Sequence, residues 1–311
     1  MPNPIKLIAS LLIFTIFMTG CTLGPVFGGD IPIGPKGIIY EEDDRLDFYE
    51  IYDLEIQKQA KACPALMHSN RLVKQADGSY NIKPYMQSDG SMWTYGERYD
   101  FEEVVQRFKN QPMASSCSAF LVAPNIVITA GHCIDGKTED QLSGIRFVFG
   151  YWMESSSDAK LNVPEENVYS IGKVIHSEYS KLNAIDYAII ELDRDVTVAE
   201  PLKISEKEVK VGDQVYIIGY PNGLPLKYAP NAEVYRVNQQ SFVASLDAFK
   251  GNSGSPVFNS EGEIVGVYIT TYLIIIGTDY YGRWKKHGYA PADLSGNRST
   301  HSEYFDQHVP E

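Results

Sequence analysis

Three short stretches of this 311-residue chain carry side chains that could act together. In TAGHC, His132 follows an apolar run; in NAIDYAIIELDR, Asp186 opens a β-like run; in GNSGSP, Ser253 stands in a glycine-flanked turn before another. Each alone is weak, because a histidine beside a strand or an aspartate at a strand start is commonly structural. Together they meet one chemical need. A serine hydroxyl is a poor nucleophile until a base takes its proton, and an imidazole serving as that base needs a carboxylate to fix its tautomer and stabilise the imidazolium.

Other chemistries find no residues here. His68, His176, His287, His301 and His308 lie in no comparable context and read as surface or packing residues. No His, Cys or Asp cluster has zinc-ligand spacing, and no glycine-rich phosphate loop stands between a strand and a helix. The expectation is a site without metal or cofactor. The chain is 44% hydrophobic and 22% charged, an ordinary globular composition, and is long enough for two cores. A formal net charge of −13 opposes long-range attraction to nucleic acid or to an anionic lipid surface, so no nucleic-acid partner is expected.

The elements that must position these residues are short. From Cys117 onward the chain reads as ten β-rich runs (SAFLVA, NIVIT, IRFVFG, NVYSIGKVI, YAIIEL, DQVYIIG, AEVYRV, SFVA, SPVF and EIVGVYITT) separated by turn residues. With no long helices between them, they predict an all-β antiparallel barrel or sandwich and not a βαβ sheet. CSAFLVAPNIVITAGHC reads as a hairpin around Pro124 and Asn125, which returns Cys133 to within disulfide reach of Cys117. Cys63 is then left over, expected as an inert thiol on a buried strand. Residues 43–61 carry apolar side chains at helical spacing, and 74–111 form a polar excursion with one helix over 101–108.

The N-terminus, MPNPIKLIASLLIFTIFMTGC, has one lysine, an apolar run over Leu7–Met18 too short to span a bilayer, and small residues before Cys21. It reads as an export signal and resembles the bacterial lipoprotein type. That resemblance implies a lipid anchor at Cys21 that holds the protein to a membrane without spanning it. The expected location is the outer membrane or cell surface, and otherwise the periplasm or the medium.

The chain from about Cys63 to Thr271 resembles the trypsin-like serine peptidase family, through CSAFLVAPNIVITAGHC and GNSGSPVFN and the order His, Asp, Ser. The resemblance implies a chymotrypsin-like fold of two antiparallel six-stranded β-barrels, here with an N-terminal extension. It implies His132 as general base and acid, Asp186 as its orienter, Ser253 as the nucleophile of an acyl-enzyme, and the N–H groups of Gly251 and Ser253 as an oxyanion hole. It also places a disulfide at Cys117 and Cys133. The expected division is 1–20 signal, 21–42 flexible tether, 43–111 extension with a helix, the first barrel strand and a long loop, 112–200 first barrel, 201–277 second barrel, and 278–311 tail.

Specificity is less legible. Asn252 stands where the digestive branch of the family has an aspartate; it carries no charge, so activation by an inserted α-amino group is not expected. GNSGSP resembles the bacterial glutamyl-endopeptidase and HtrA-like branches instead. Asp247 stands six residues before Ser253, where trypsin places the carboxylate that selects Arg or Lys; the competing role is to cap the turn after SFVASL. Tyr268 replaces the histidine of glutamyl endopeptidases and supplies no positive charge, which disfavours strict glutamate specificity. Thr271 replaces a pocket-wall glycine, and Ile269–Thr271 should offer an edge strand to substrate backbone. The expected activity is thus an exported, monomeric serine endopeptidase acting on protein or peptide, with Arg or Lys preferred. The alternative is a catalytically silent binding module or a single-substrate maturase, with 74–111 closing over the cleft.

Overall fold

The computed structural model describes residues 37–40, 43–98, 106–180, 185–273 and 295–310. The chain divides into Met1–Pro32 and Ile33–Glu311, and every described residue belongs to the second unit. The export signal, Cys21 and the tether as far as residue 36 lie outside the described residues. Of the helix expected over 101–108, only a 3-10 turn at Gln106–Phe108 falls within them.

Twelve strands form two barrels. The first uses β1 (Ala65–His68), β2 (Cys117–Ala123), β3 (Ile126–Thr129), β4 (Ile145–Val148), β5 (Val168–Ser180) and β6 (Ile185–Leu192), closed in the order β5-β6-β3-β2-β1-β4. The second uses β7 (Gln214–Gly219), β8 (Lys227–Val237), β9 (Ser241–Ala244), β10 (Pro256–Asn259), β11 (Ile264–Leu273) and β12 (Ser295–His301), in the order β7-β10-β11-β12-β9-β8, with β7 pairing β8 to close it. All pairings in both barrels are antiparallel. The double barrel expected from the sequence is therefore the fold.

The period of two along each strand accounts for the packing. On β2, Ala119 and Leu121 fill the first barrel while Phe120 points to the seam between barrels; on β6, Ala188 and Ile190 point inward while Tyr187 and Ile189 meet the seam. The second barrel mirrors this, with Val215 and Ile217 inside and Tyr216 and Ile218 at the seam. Strands buried on both faces explain why these runs are almost continuously apolar.

Four expectations are corrected. The expected tail contains β12, which pairs with both β9 and β11 and completes the second barrel. Its sequence, SGNRSTH, has no hydrophobic alternation, although Ser299 and Thr300 are fully buried. The end of the expected tether is a strand, Gly37–Ile38, paired with Ala248–Phe249. The helix read over 43–61 is confined to α1 (Leu54–Lys61), started by the Asp53 side chain, which accepts the Glu55 and Ile56 N–H groups. Cys63 is fully buried and unpaired but lies between α1 and β1, off any strand; its thiol donates to the Gln59 carbonyl and burial pushes its pKa up.

Candidate active site

His132 is delivered by the turn that follows β3. Gly131 must be glycine there, because a Cβ would lie 2.3 Å from the Glu178 carbonyl oxygen. Asp186, second residue of β6, is 2% exposed and grips His132 twice. Its Oδ1 accepts the His132 backbone N–H at 2.8 Å and its Oδ2 faces His132 Nδ1 at 2.6 Å. The second contact leaves Nε2 as the ring's outward nitrogen, the arrangement a base needs. Asp186 is itself held from the other barrel: its N–H donates to Thr300 Oγ1 on β12 at 3.2 Å.

Ser253 sits on the turn between Phe249 and β10. Gly251 and Gly254 have φ of +99° and +86°, conformations that L side chains rarely adopt, and a Cβ on Gly254 would lie 2.2 Å from the Ser118 carbonyl oxygen. Among the described residues the N–H groups of Gly251 and Ser253 have no hydrogen-bond acceptor, so both are available to an oxyanion. The Ser253 hydroxyl donates to the Ile269 carbonyl at 3.4 Å and makes no hydrogen bond to His132. Both residues line one cleft of about 440 Å³.

The serine turn is tied down by groups the sequence did not single out. Ser118, beside Cys117 on β2, donates its N–H to the Ser253 carbonyl at 2.8 Å and its hydroxyl to the Gly251 carbonyl at 2.8 Å, and accepts the Tyr220 N–H at 3.0 Å. Behind it, Asn222 donates its backbone N–H to the Lys250 carbonyl and its side-chain amide to Tyr95 Oη at 3.1 Å. The only sign of these roles in sequence is polarity at positions a β-barrel would bury. Asn252 is 3% exposed and its side-chain oxygen has no partner among the described residues. Cys117 and Cys133 form the expected disulfide, with Cα atoms 6.5 Å apart, at the wall of the cleft.

Among the described residues of the excursion 74–111, none lines this cleft. Tyr95 and Phe108 pack with Met113 and Leu224 beside the Pro221–Gly223 turn. Gln111 completes a buried network in which its side-chain amide donates to Asp47 Oδ2 at 2.7 Å and Lys227 Nζ donates to its Oε1 at 2.8 Å. Lys227 also pairs with Asp47 Oδ1 at 2.6 Å; burial nevertheless pulls its pKa down to about 8.

The residues expected to set specificity divide. Asp247 is 5% exposed; its Oδ1 accepts the Tyr40 N–H at 2.7 Å and its Oδ2 has no partner among the described residues. Burial raises its pKa to about 8, against the weaker opposing pull of the Tyr40 N–H and the Arg45 charge. Arg45 is fully buried, bound to Asp43 and stacked over the Phe249 ring. Tyr268 is a core residue of the second barrel, 1% exposed, and its backbone clamps the serine turn: its N–H donates to the Ser255 carbonyl and its carbonyl accepts the Gly254 N–H, both at 2.9 Å. Beyond Val267, β11 no longer pairs with β10; Thr270 and Thr271 pair only with β12, and Ile269 falls in the irregularity between Tyr268 and Thr270.

The fold is the double β-barrel of chymotrypsin-like proteins. Residues 117–267 match the family described as "Trypsin-like peptidase domain". A "Glutamyl endopeptidase" of Bacillus licheniformis is 24% identical over 229 residues, which are 71% of this chain and 69% of that protein. A solved Glu endopeptidase in complex with MPD superimposes with a TM-score of 0.50 at 15% identity, over 87% of this chain and 97% of that one. The matches support a serine peptidase acting on protein or peptide.

Proposed function

We propose that the protein is an exported serine endopeptidase that hydrolyses peptide bonds through His132, Asp186 and Ser253. The observation that carries this reading is the double grip of a buried Asp186 on His132 in the same cleft as Ser253. In the proposed reaction the Ser253 hydroxyl attacks the carbonyl carbon as its proton passes to His132 Nε2. The N–H groups of Gly251 and Ser253 hold the oxyanion, and the imidazolium then protonates the departing amine. Water, deprotonated by the same imidazole, releases the acyl group. No metal or cofactor enters these steps.

For the residue before the cleaved bond, the geometry favours Arg or Lys. Asp247 Oδ2 is a buried oxygen without a partner, and a cationic side chain reaching it would restore the charge that burial suppresses. The similarity to proteins named glutamyl endopeptidases favours an acidic residue instead. Profiling a mixed peptide library beside Ser253→Ala separates the readings. Serine-dependent cuts after Arg and Lys support the role of Asp247, cuts after Glu or Asp retire it, and no serine-dependent cut retires the peptidase. Export with lipidation at Cys21 is tested by metabolic labelling with a fatty acid, where Cys21→Ala should lose both the label and the membrane association.

A further inference from the structure

Ser253 has two sides, and the specificity residues considered so far lie on one of them. Ile269, Tyr268 and Asp247 do not line the 440 Å³ cleft; its walls are the Cys117–Cys133 disulfide, the end of β1 at Leu66–His68, Gln141 of the short helix Glu139–Ser143, and Lys137 and Lys250. A substrate whose acyl portion lies along the open edge of Ile269–Thr271 directs its leaving group into this cleft. The charge balance there inverts that of the molecule. The chain carries a net charge of −13, yet among the described residues no Asp or Glu lines the cleft and two lysines do.

Both lysines are exposed, and neither ammonium forms an ion pair or hydrogen bond among the described residues, whereas Lys58, Lys74, Lys203, Lys207 and Lys227 each have a carboxylate partner. The acidic residues closest to Lys137 in sequence, Asp135, Glu139 and Asp140, are not among the cleft walls. Lys250 immediately precedes Gly251, and both line the cleft. Leu66, Met67 and Ile145 also line the cleft. We infer that Lys137 and Lys250 make the leaving-group side of the cleft selective for acidic residues, so that the preferred substrates carry Asp or Glu within the first residues after the cleaved bond. This rests on the serine-peptidase reading, but concerns a different half of the site.

The test is acyl transfer. A peptide ester with no residues after the scissile bond loads Ser253, and the acyl-enzyme is partitioned between water and an added dipeptide amide, Glu-Ala-amide or its isostere Gln-Ala-amide, and likewise Ala-Glu-amide against Ala-Gln-amide. With two exposed charge pairs at stake, the better glutamate nucleophile should capture the acyl group about threefold to tenfold more efficiently than its glutamine isostere at low ionic strength. The ratio should fall towards one at about 1 M salt, where screening is nearly complete. It should also fall in Lys137→Gln with Lys250→Gln; being internal to each variant, it is insensitive to any change in overall rate. A ratio near one for wild type at low salt in both pairs overturns the inference while leaving the peptidase intact. Failure to hydrolyse the ester overturns the peptidase reading instead. In that event titration of Ser253→Ala with the same four amides still decides the cleft's preference, equal binding of Glu and Gln forms counting against it.

Discussion

At the scale of single residues, Asp247 and Ser118 carry consequences that can be measured. Asp247 takes its proton at about pH 8 in the folded protein, against about 3.8 unfolded. The folded state therefore binds more protons between these values, and the stabilisation from Asp247 is full below about pH 4 and lost as pH rises through about 8. Asp247→Asn keeps an acceptor for the Tyr40 N–H and removes the titration. Denaturant unfolding from pH 4 to 8 should show a flatter profile than wild type, and higher stability near pH 8. Lys227, with a pKa of about 8, begins to titrate at the upper end of this window but does so in both proteins, so it cancels in the comparison. Ser118→Ala leaves the Tyr220 N–H and Gly251 carbonyl without their buried partner. It should cost about 1–3 kcal/mol of stability and lower kcat more than it raises KM, because the oxyanion donors lose their alignment. His132, Asp186 and Ser253 were legible in the sequence as a combination, through TAGHC, NAIDYAIIELDR and GNSGSP in that order, and not as single residues, since serine and aspartate are common in turns. Ser118 and Thr300 were not, because a serine or threonine in a strand looks alike whether it faces solvent or ties two barrels together.

At the scale of elements, the ten runs from Cys117 to Leu273 were legible as strands because each is an apolar stretch between turn residues. β12 was missed for the converse reason: SGNRSTH holds its place by register with β11 and β9, a contact far away in sequence. That strand brings Thr300 to Asp186. Thr300→Val preserves shape and removes the acceptor of the Asp186 N–H, so kcat should fall roughly tenfold with KM little changed, about the loss of one buried hydrogen bond. The hairpin β2–β3 carries the Cys117–Cys133 bridge across a separation of 16 residues. Replacing both cysteines by serine should destabilise the protein by about 3 kcal/mol in thermal unfolding, with wild type shifting alike in reductant.

At the scale of the whole molecule, the site exists only where the two barrels meet. His132 and Asp186 come from the first and Ser253 from the second, and the bonds that align them cross the seam in both directions, through Ser118 and Thr300. The extension is part of the same assembly: Gly37–Ile38 pairs beside the serine turn, Asp47 pairs with Lys227 of the second barrel, and Gln111 joins them. Composition and local pattern could not place these segments, whose partners in the second barrel lie more than a hundred residues away. The central claim is that Ser253 is a nucleophile activated by His132, and labelling with a fluorophosphonate ester reads it directly. Such a probe bonds phosphorus to an activated serine oxygen as fluoride departs. Intact-mass and peptide analysis should find one adduct per chain, on Ser253, absent from Ser253→Ala and reduced by at least about a hundredfold in rate in His132→Ala. An unlabelled wild-type protein that is folded by circular dichroism, or labelling of Ser253 at the same rate without His132, would contradict the account.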